Sequence, residues 1–267
     1  MSLQGQVAIV TGGARGLGRA YVLRLARLGA DIAIADIDLD GAARYEETLT
    51  APSVREEVLA LGRRAIDFEA DLSRREHAQR LVERTVNELG RVDILVNNAG
   101  GLLTPIERSH ACAIPEEDIR ATLDANLMIA VFCCQAVIPH MKTQRSGVIV
   151  NVSSAAARNV VRGGRFAMYG AAKAAVTHFT RNLAMELGPF GIRANCIAPG
   201  LIHSSRMKYS AQQRNLGTAA DIERIPLGRA GEPEDCAKVV EFLVTDLSSF
   251  VTGQCISVCG GSILTPA

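Results

Sequence analysis

A doubly wound parallel α/β sheet, folded as one domain, is what this sequence predicts, on three observations. Short runs rich in Val and Ile alternate with segments of helical spacing along all 267 residues. The runs are apolar at nearly every position rather than at every second one, as strands covered on both faces are. No linker, repeat or low-complexity stretch divides the chain, and its length suits a single large core.

In chain order, strands are expected at Val7–Thr11, Asp31–Asp36, Ala65–Glu69, Val92–Asn97, Val148–Val152, Ile192–Ile197 and Gln254–Val258. A glycine-bearing turn follows the first and opens a helix. After the third, Ser73-Arg74-Arg75-Glu76 reads as a capping box, behind which Ala78, Leu81, Val82, Thr85, Val86 and Leu89 recur on one helical face. Pro115 with Glu116, Glu117 and Asp118 sets acids at a helix start, where the backbone dipole favours them. The apolar stretch Leu127 to Pro139 is shorter than the ~20 residues of a membrane-spanning helix and contains Gln135, so it reads as a buried or interface helix. Gly231-Glu232-Pro233-Glu234 opens the last helix as Pro115 opens its own. Strand–helix alternation with right-handed crossovers makes the sheet parallel. Two stretches are too long and polar for simple connections, Asp38–Val54 and Leu201–Glu232. The second leaves a strand at the edge where such sheets bind ligands, so a lid is expected near 201–232.

Composition narrows the function. Lys+Arg (29) and Asp+Glu (28) nearly cancel, which argues against nucleic acid or an anionic membrane as the main partner. The N-terminal Met1 to Gln6 lacks the basic region of a signal peptide. Seven cysteines without a CxxC pair mostly sit in apolar runs, as small hydrophobes do in a reducing, cytoplasmic protein. The five histidines show no ligand spacing, so no metal site is expected.

Two constellations carry chemistry. Thr11-Gly12-Gly13-Ala14-Arg15-Gly16-Leu17-Gly18 joins the first strand to the first helix, where glycines let a dinucleotide diphosphate approach backbone N–H groups at the positive helix end. Asp36, followed by Ile37, ends the second strand, placed to accept hydrogen bonds from an adenosine ribose. A 2′-phosphate there would meet like charge worth on the order of 3 kcal/mol at ~5 Å, about a hundredfold preference for NAD over NADP. Arg15 pulls the other way, since a guanidinium can pair with a phosphate. The second constellation is Tyr169 and Lys173, one turn apart at the start of a helix and so on one face. With four tyrosines in the chain, and Lys142, Lys173, Lys208 and Lys238 as its lysines, chance supplies only about 0.06 such pairs. A phenol acting as a base near neutrality must lose about 3 pKa units, or ~4 kcal/mol, which a nearby ammonium and an oxidised nicotinamide can supply.

These residues stand in a longer collinear series: Thr11–Gly18, Asp71-Leu72, Asn97-Asn98-Ala99-Gly100, Asn126, Ser153-Ser154, Tyr169–Lys173 and Pro199-Gly200. With them the chain resembles the short-chain dehydrogenase/reductase family from end to end. The resemblance implies a Rossmann fold, an NAD cofactor, a small alcohol or ketone substrate, and a homo-oligomer, tetramer or dimer. It implies that Tyr169 is the proton-transferring acid/base and that Lys173 holds the nicotinamide ribose. Ser154, rather than Ser153, matches the serine that binds the substrate oxygen, and Asn126 the residue that keeps a water beside the lysine. Gly12, Arg15, Gly16, Leu17, Gly18, Asp36, Ile37, Asp71, Leu72 and Asn98 match cofactor-binding positions. Asp71 would meet the adenine amino group and Asn98 the adenosine side. Pro199, Ile202 and Ser204 match the stretch beside the nicotinamide carboxamide.

Departures from the family pattern matter equally. Tyr169 follows Ser154 at a longer spacing than usual, so Val160–Arg165 is expected to bulge at the site mouth and alter substrate shape. Ser204 stands where threonine is commoner, and Cys259 replaces the usual aspartate before Gly260-Gly261. Asp38–Val54 lengthens the segment after the second strand. Arg158, Arg162, Arg165, His203 and Arg206 are read chiefly as solvated surface charge, with an acidic substrate group as the alternative. Cys255 and Cys259 face one side of the last strand as packing residues. Three functions fit: an NAD-dependent alcohol dehydrogenase, an NADP-linked 3-oxoacyl-type ketoreductase, and an NAD-binding sensor without catalysis. Asp36 speaks against the second, and the intact Asn126, Ser154, Tyr169 and Lys173 against the third.

Overall fold

The computed structural model describes residues 2–161, 163–214 and 217–264, and all of their side chains but those of 210–214. Arg162 therefore lies outside the described residues. The elements run β1 (Val7–Thr11), α1 (Gly16–Arg27), β2 (Asp31–Asp36), α2 (Gly41–Arg44), α3 (Val54–Ala60), β3 (Ala65–Glu69), α4 (Arg75–Leu89), β4 (Ile94–Asn97) and α5 (Glu116–Leu123). They continue with α6 (Ile129–Gln144), β5 (Gly147–Val152), α7 (Ala167–Leu187), β6 (Ile192–Pro199), α8 (Ser205–Arg214), α9 (Ala219–Glu223), α10 (Pro233–Val244) and β7 (Cys255–Val258). The strands form one parallel sheet in the order β3-β2-β1-β4-β5-β6-β7. The order reverses between β1 and β4, and a crevice opens there at the C-terminal strand ends, carrying Thr11, Asp36, Asn97 and Val152.

Because side chains alternate along a strand, each strand feeds two cores. Ala8 and Val10 of β1 pack with Tyr21, Val22 and Leu25 of α1 and Ala237 and Val240 of α10. Val7 and Ile9 pack on the opposite layer with Leu81 of α4, Val137 of α6 and Leu183 of α7. Both layers are shut, which is why the strands read as continuous apolar runs.

Several boundaries move. β4 starts at Ile94 rather than Val92, because the Asp93 carboxylate there accepts the Val7 N–H at 2.9 Å as a side-chain extension of the sheet. β6 runs on to Pro199, and β7 starts at Cys255. The capping box expected at Ser73 does not form. The Ser73 amide donates to Asp71 Oδ1 (3.0 Å), and α4 begins one residue later behind Arg74, without a side-chain cap. True capping boxes occur at Thr218/Asp221 and Glu232/Asp235. The two long polar stretches contain helix: α2 in the first, α8 and α9 in the second.

The expected apolar helix is longer than its apolar stretch. A π-helical turn at Asp124–Met128 joins α5 to α6, giving a continuous run from Glu116 to Gln144. By length and composition this run could cross a membrane, but it opens on Glu116, Glu117 and Asp118, and its Cys133, Val137 and Met141 pack into the sheet core.

Candidate active site

The glycine turn is shaped by lack of room. A Cβ on Gly18 would lie 1.8 Å from the Gly12 oxygen, so only glycine lets α1 start this close to the turn. Gly12 itself has φ +64°, and a Cβ on it would lie 3.0 Å from Ala99 and from Asn98 Nδ2. Asn98 fastens this approach, its Nδ2 donating to the oxygens of Gly12 (3.0 Å) and Thr11 (3.2 Å). Buried Asp36 accepts the Ala14 N–H at 3.1 Å, and Ile37 beyond it is 64% exposed. A cradle closed to side chains, a helix start and a strand-end carboxylate together fit a dinucleotide. Asp71 and Leu72 lie next to this end: burial pushes the Asp71 carboxyl up, but hydrogen bonds from the Ser73 hydroxyl and amide outweigh it and hold the acid below its usual range.

The chemistry side is built on β5 and α7. Two hydroxyls follow β5 and part company. Ser153 is buried, donating to the Lys173 carbonyl at 2.8 Å while accepting from Thr177. Ser154 is half-buried and caps the short turn Ala155–Ala157 by accepting the Ala156 N–H, which leaves its own hydroxyl proton free to be donated. Tyr169 sits in the first turn of α7, with the Lys173 ammonium 5.9 Å from its ring centre. Lys173 is fully enclosed and donates to the Val152 oxygen at 2.8 Å; burial brings its ammonium down to about 8. Asn126 lies on the π-helical turn, its Oδ1 taking the Gly101 N–H (2.8 Å) and its Nδ2 reaching the oxygens of Gly101 and Thr122 (both 3.0 Å). A widened turn is a common way to aim one residue at a site. Beneath, Asn97 donates to Asn151 Oδ1 and Asn151 to Thr180 Oγ1, each at 2.8 Å, a buried polar ladder joining β4, β5 and α7.

The lid leaves β6 through Pro199 and Gly200, where a Cβ on Gly200 would meet the Cys259 backbone at 2.9 Å. Cys259, standing in for the usual aspartate, thus packs against this close approach. Ile202 bridges to Gly231, and Ser204 Oγ accepts the Met207 N–H at the start of α8. The structure therefore gathers Asn126, Ser154, Tyr169 and Lys173 around the ends of β4 and β5. It leaves the glycine turn and Asp36 on the other side of the crevice and the lid above.

The arginines correct the sequence reading. Arg158 is half-buried rather than free in solvent, donating to the Cys255 oxygen (2.8 Å) and Ser257 Oγ (2.9 Å). Arg206 donates to the oxygens of Gly100 (3.1 Å) and Leu102 (2.9 Å), tying the lid to the loop after β4. His203 faces Glu232 at 3.3 Å. Val160 is 85% exposed, and the oxygens of Gly163 and Gly164 bond to His110 and to the Ala111 amide. Leu102, Leu103, Ile114, Phe166 and Met168 then form an apolar wall beside Tyr169.

Glu47, Arg19 and Glu57 carry no sequence signal. Glu47 Oε2 accepts the Gly16 N–H (2.8 Å) and the Ser205 hydroxyl (2.5 Å), while its Oε1 takes Arg19 (3.0 Å). Arg19 also forks onto buried Glu57 at 2.6 and 2.8 Å. Arg15 turns away from the turn it belongs to, its guanidinium 4.7 Å above the Tyr45 ring. The cysteines are free; Cys255 pairs in register with Cys196 of β6, and that thiol neighbour draws the Cys255 thiol down to about 6.

Comparison with known proteins agrees with this geometry. A family model described as enoyl-(acyl carrier protein) reductase matches residues 12–262. The chain is 44% identical to cyclohexanol dehydrogenase of Rhodococcus sp. (strain TK6), covering 98% of this chain and 97% of that one. It is 37% identical to 3-oxoacyl-[acyl-carrier-protein] reductase FabG of Thermotoga maritima, covering 99% and 100%. A solved 7α-hydroxysteroid dehydrogenase, complexed with NADH and 7-oxo glycochenodeoxycholic acid, superposes with a TM-score of 0.85 at 31% identity, covering 99% and 96%. The chain belongs to the short-chain dehydrogenase/reductase family, oxidoreductases that work by hydride transfer with a nicotinamide cofactor.

Proposed function

We propose that this short-chain dehydrogenase/reductase interconverts a small, uncharged secondary alcohol and its ketone with NAD as cofactor. The observation that carries the reading is Tyr169 beside enclosed Lys173 on the first turns of α7, with the half-buried Ser154 hydroxyl at the adjoining strand end. The cofactor supplies a hydride acceptor or donor when bound. In the oxidising direction the Tyr169 phenolate takes the proton of the substrate hydroxyl, and Ser154 donates to the same oxygen to fix its place. Lys173, at about 8, stays mostly charged at neutral pH and lowers the cost of the phenolate. Asn126 anchors the loop at Gly101 and orders the lysine's path to solvent. Asp36, with Ile37, would hold the adenosine ribose, Asp71 with Leu72 and Asn98 the adenine end, and Gly12, Gly16, Leu17 and Gly18 the diphosphate. Pro199, Ile202 and Ser204 would line the carboxamide.

The lining beside Tyr169, with Leu102, Leu103, Ile114, Phe166 and Met168 and the uncharged Thr104, Ser109 and Thr122, supports an uncharged, mainly apolar substrate. It fits the named substrate of the Rhodococcus relative, and Arg158 and Arg206 are occupied by main-chain oxygens. The full-length similarity to the Thermotoga reductase supports a second reading, an NADP-linked 3-oxoacyl reductase, against which the Asp36 carboxylate stands. We place the enzyme in the cytoplasm as a homodimer or homotetramer, with the partly exposed apolar face of α6 as a subunit contact. The test offers NAD+ or NADP+ with cyclic, aromatic and polyol secondary alcohols, following reduced cofactor optically. NAD-linked turnover of cyclic alcohols that vanishes in Tyr169→Phe is expected. NADP-linked reduction of 3-oxoacyl thioesters would favour the second reading, and NAD binding without turnover a sensor.

A further inference from the structure

The segment between β2 and α3 reaches back over the glycine turn and touches both groups there that could meet a phosphate. Its Glu47 carboxylate lies on the Gly16 N–H, at the first residue of α1. Its Tyr45 ring covers Arg15, whose Nη1 is buried without a hydrogen-bond partner. The same segment is fastened to the lid, by Ser205 on Glu47 and by the Tyr45 ring edge-on to Tyr209 at 5.3 Å. A cleft of about 500 Å³, lined by Gly16, Glu47, Ser205 and Lys208 among others, opens where these pieces meet.

We propose that Glu47 is a built-in competitor for the cofactor's diphosphate, so that dinucleotide binding displaces its carboxylate from Gly16 and breaks its bond to Ser205 of the lid. The proposal rests on the dinucleotide reading above. A helix N-terminus holds one anion by the same partial charge whether that anion is a side chain or a ligand. A carboxylate and a diphosphate sharing that amide would repel at close range, so one must leave. The segment can let go without unfolding, because Arg19 keeps Glu57 when it releases Glu47, and Glu57 holds Thr50 through the Thr50 amide and hydroxyl.

The test titrates NAD+, ADP-ribose and adenosine calorimetrically into the full-length protein and into Glu47→Gln, Glu47→Ala and Ser205→Ala. Removing the competitor should strengthen NAD+ and ADP-ribose about tenfold in Glu47→Ala, the scale of a carboxylate at a helix start. Glu47→Gln should fall between Glu47→Ala and the parent. Ser205→Ala should gain about threefold, and adenosine, which has no phosphate, should be unchanged throughout. Unchanged NAD+ and ADP-ribose binding in Glu47→Ala would overturn the proposal, and weaker binding would overturn it and make Glu47 a latch that holds cofactor in. An equal gain for adenosine would also overturn it, since the effect would then not be electrostatic competition. No binding of any probe by the parent protein would instead remove the dinucleotide reading, and the proposal with it. Thermal unfolding of each variant identifies one that has lost the fold, in which case Ser205→Ala decides.

Discussion

The two sides of the crevice hold polar groups at the same sheet edge by opposite means. On the β1–β2 side, Asp36, Glu47, Arg19 and Glu57 make charged contacts that bridge separate segments, several of them partly open to water. On the β4–β5 side, Asn97, Asn151 and Thr180 form a neutral, enclosed ladder, and buried Ser153 beside it bonds to the Lys173 carbonyl. Arg19 and Glu47 keep a small exposure to water and can trade one ionic partner for another, whereas the buried neutral bonds cost their full desolvation when lost. On the function proposed above, the difference would divide the labour: the first side would open for the cofactor, and the second would hold the reacting groups still.

The sharpest way to break that assignment is Tyr169→Phe. If the enclosed side does the chemistry, this variant should lose about a thousandfold in kcat while binding NAD with unchanged affinity. Comparable loss of NAD affinity would show that the phenol belongs to binding instead.

Lys173 puts a cost on the still side. Its ammonium is brought to about 8 from 10.5 by burial, so the folded state disfavours the charged form. The penalty is fully present below pH 8, fades between pH 8 and 10.5, and is gone above, so stability should rise with pH through that window. Lys173→Met should abolish activity yet be more stable at pH 7, by at most about 3 kcal/mol, and lack the alkaline rise. Denaturant midpoints at pH 7 and pH 10 measure both. A variant less stable than the parent at pH 7 would mean that the bond to Val152 outweighs burial.

On the open side, Asp36→Asn keeps an acceptor for Ala14 and removes only charge. The ratio of kcat/KM for NAD over NADP should fall by about a hundredfold. An unchanged ratio would move cofactor choice to Arg15, which is stacked on Tyr45.

The same division explains what could be read from sequence. On the still side, the placing of Tyr169 and Lys173 on one face was legible from their spacing of one turn, Ser154 and Asn126 were picked out by the family resemblance, and Asn151 and Thr180 of the ladder gave no sign. The π-helical turn under Asn126 left no pattern, being set by the fit of α5 and α6 against the sheet. The open side depends on partners far apart in the chain: Gly16 with Glu47 are 31 residues apart, and Ser205 with Glu47 158. No periodicity encodes such pairs. Arg158 and Arg206 misled for the same reason, since a long side chain that reaches a distant carbonyl looks like any surface arginine. Ser73 misled because the Asp71 carboxylate claimed its amide before the helix could.

The smallest expected effect tests how far the ladder matters to the chemistry above it. Asn151→Ala removes the acceptor of Asn97 Nδ2 and the donor to Thr180, leaving two buried polar groups short of a partner. The expected cost is about 2 kcal/mol, or a fall of roughly 5 °C in Tm for a chain of this size. Ser153 and Val152 follow Asn151 on the same strand and hold the main chain and ammonium of Lys173, so slack in β5 reaches the lysine directly. A modest fall in kcat with an unchanged KM for NAD should therefore accompany the lost stability. If KM for NAD rises instead while kcat holds, β5 is supporting the cofactor side, and the boundary between the movable and the still halves lies further from β1 than Glu47 and Lys173 place it.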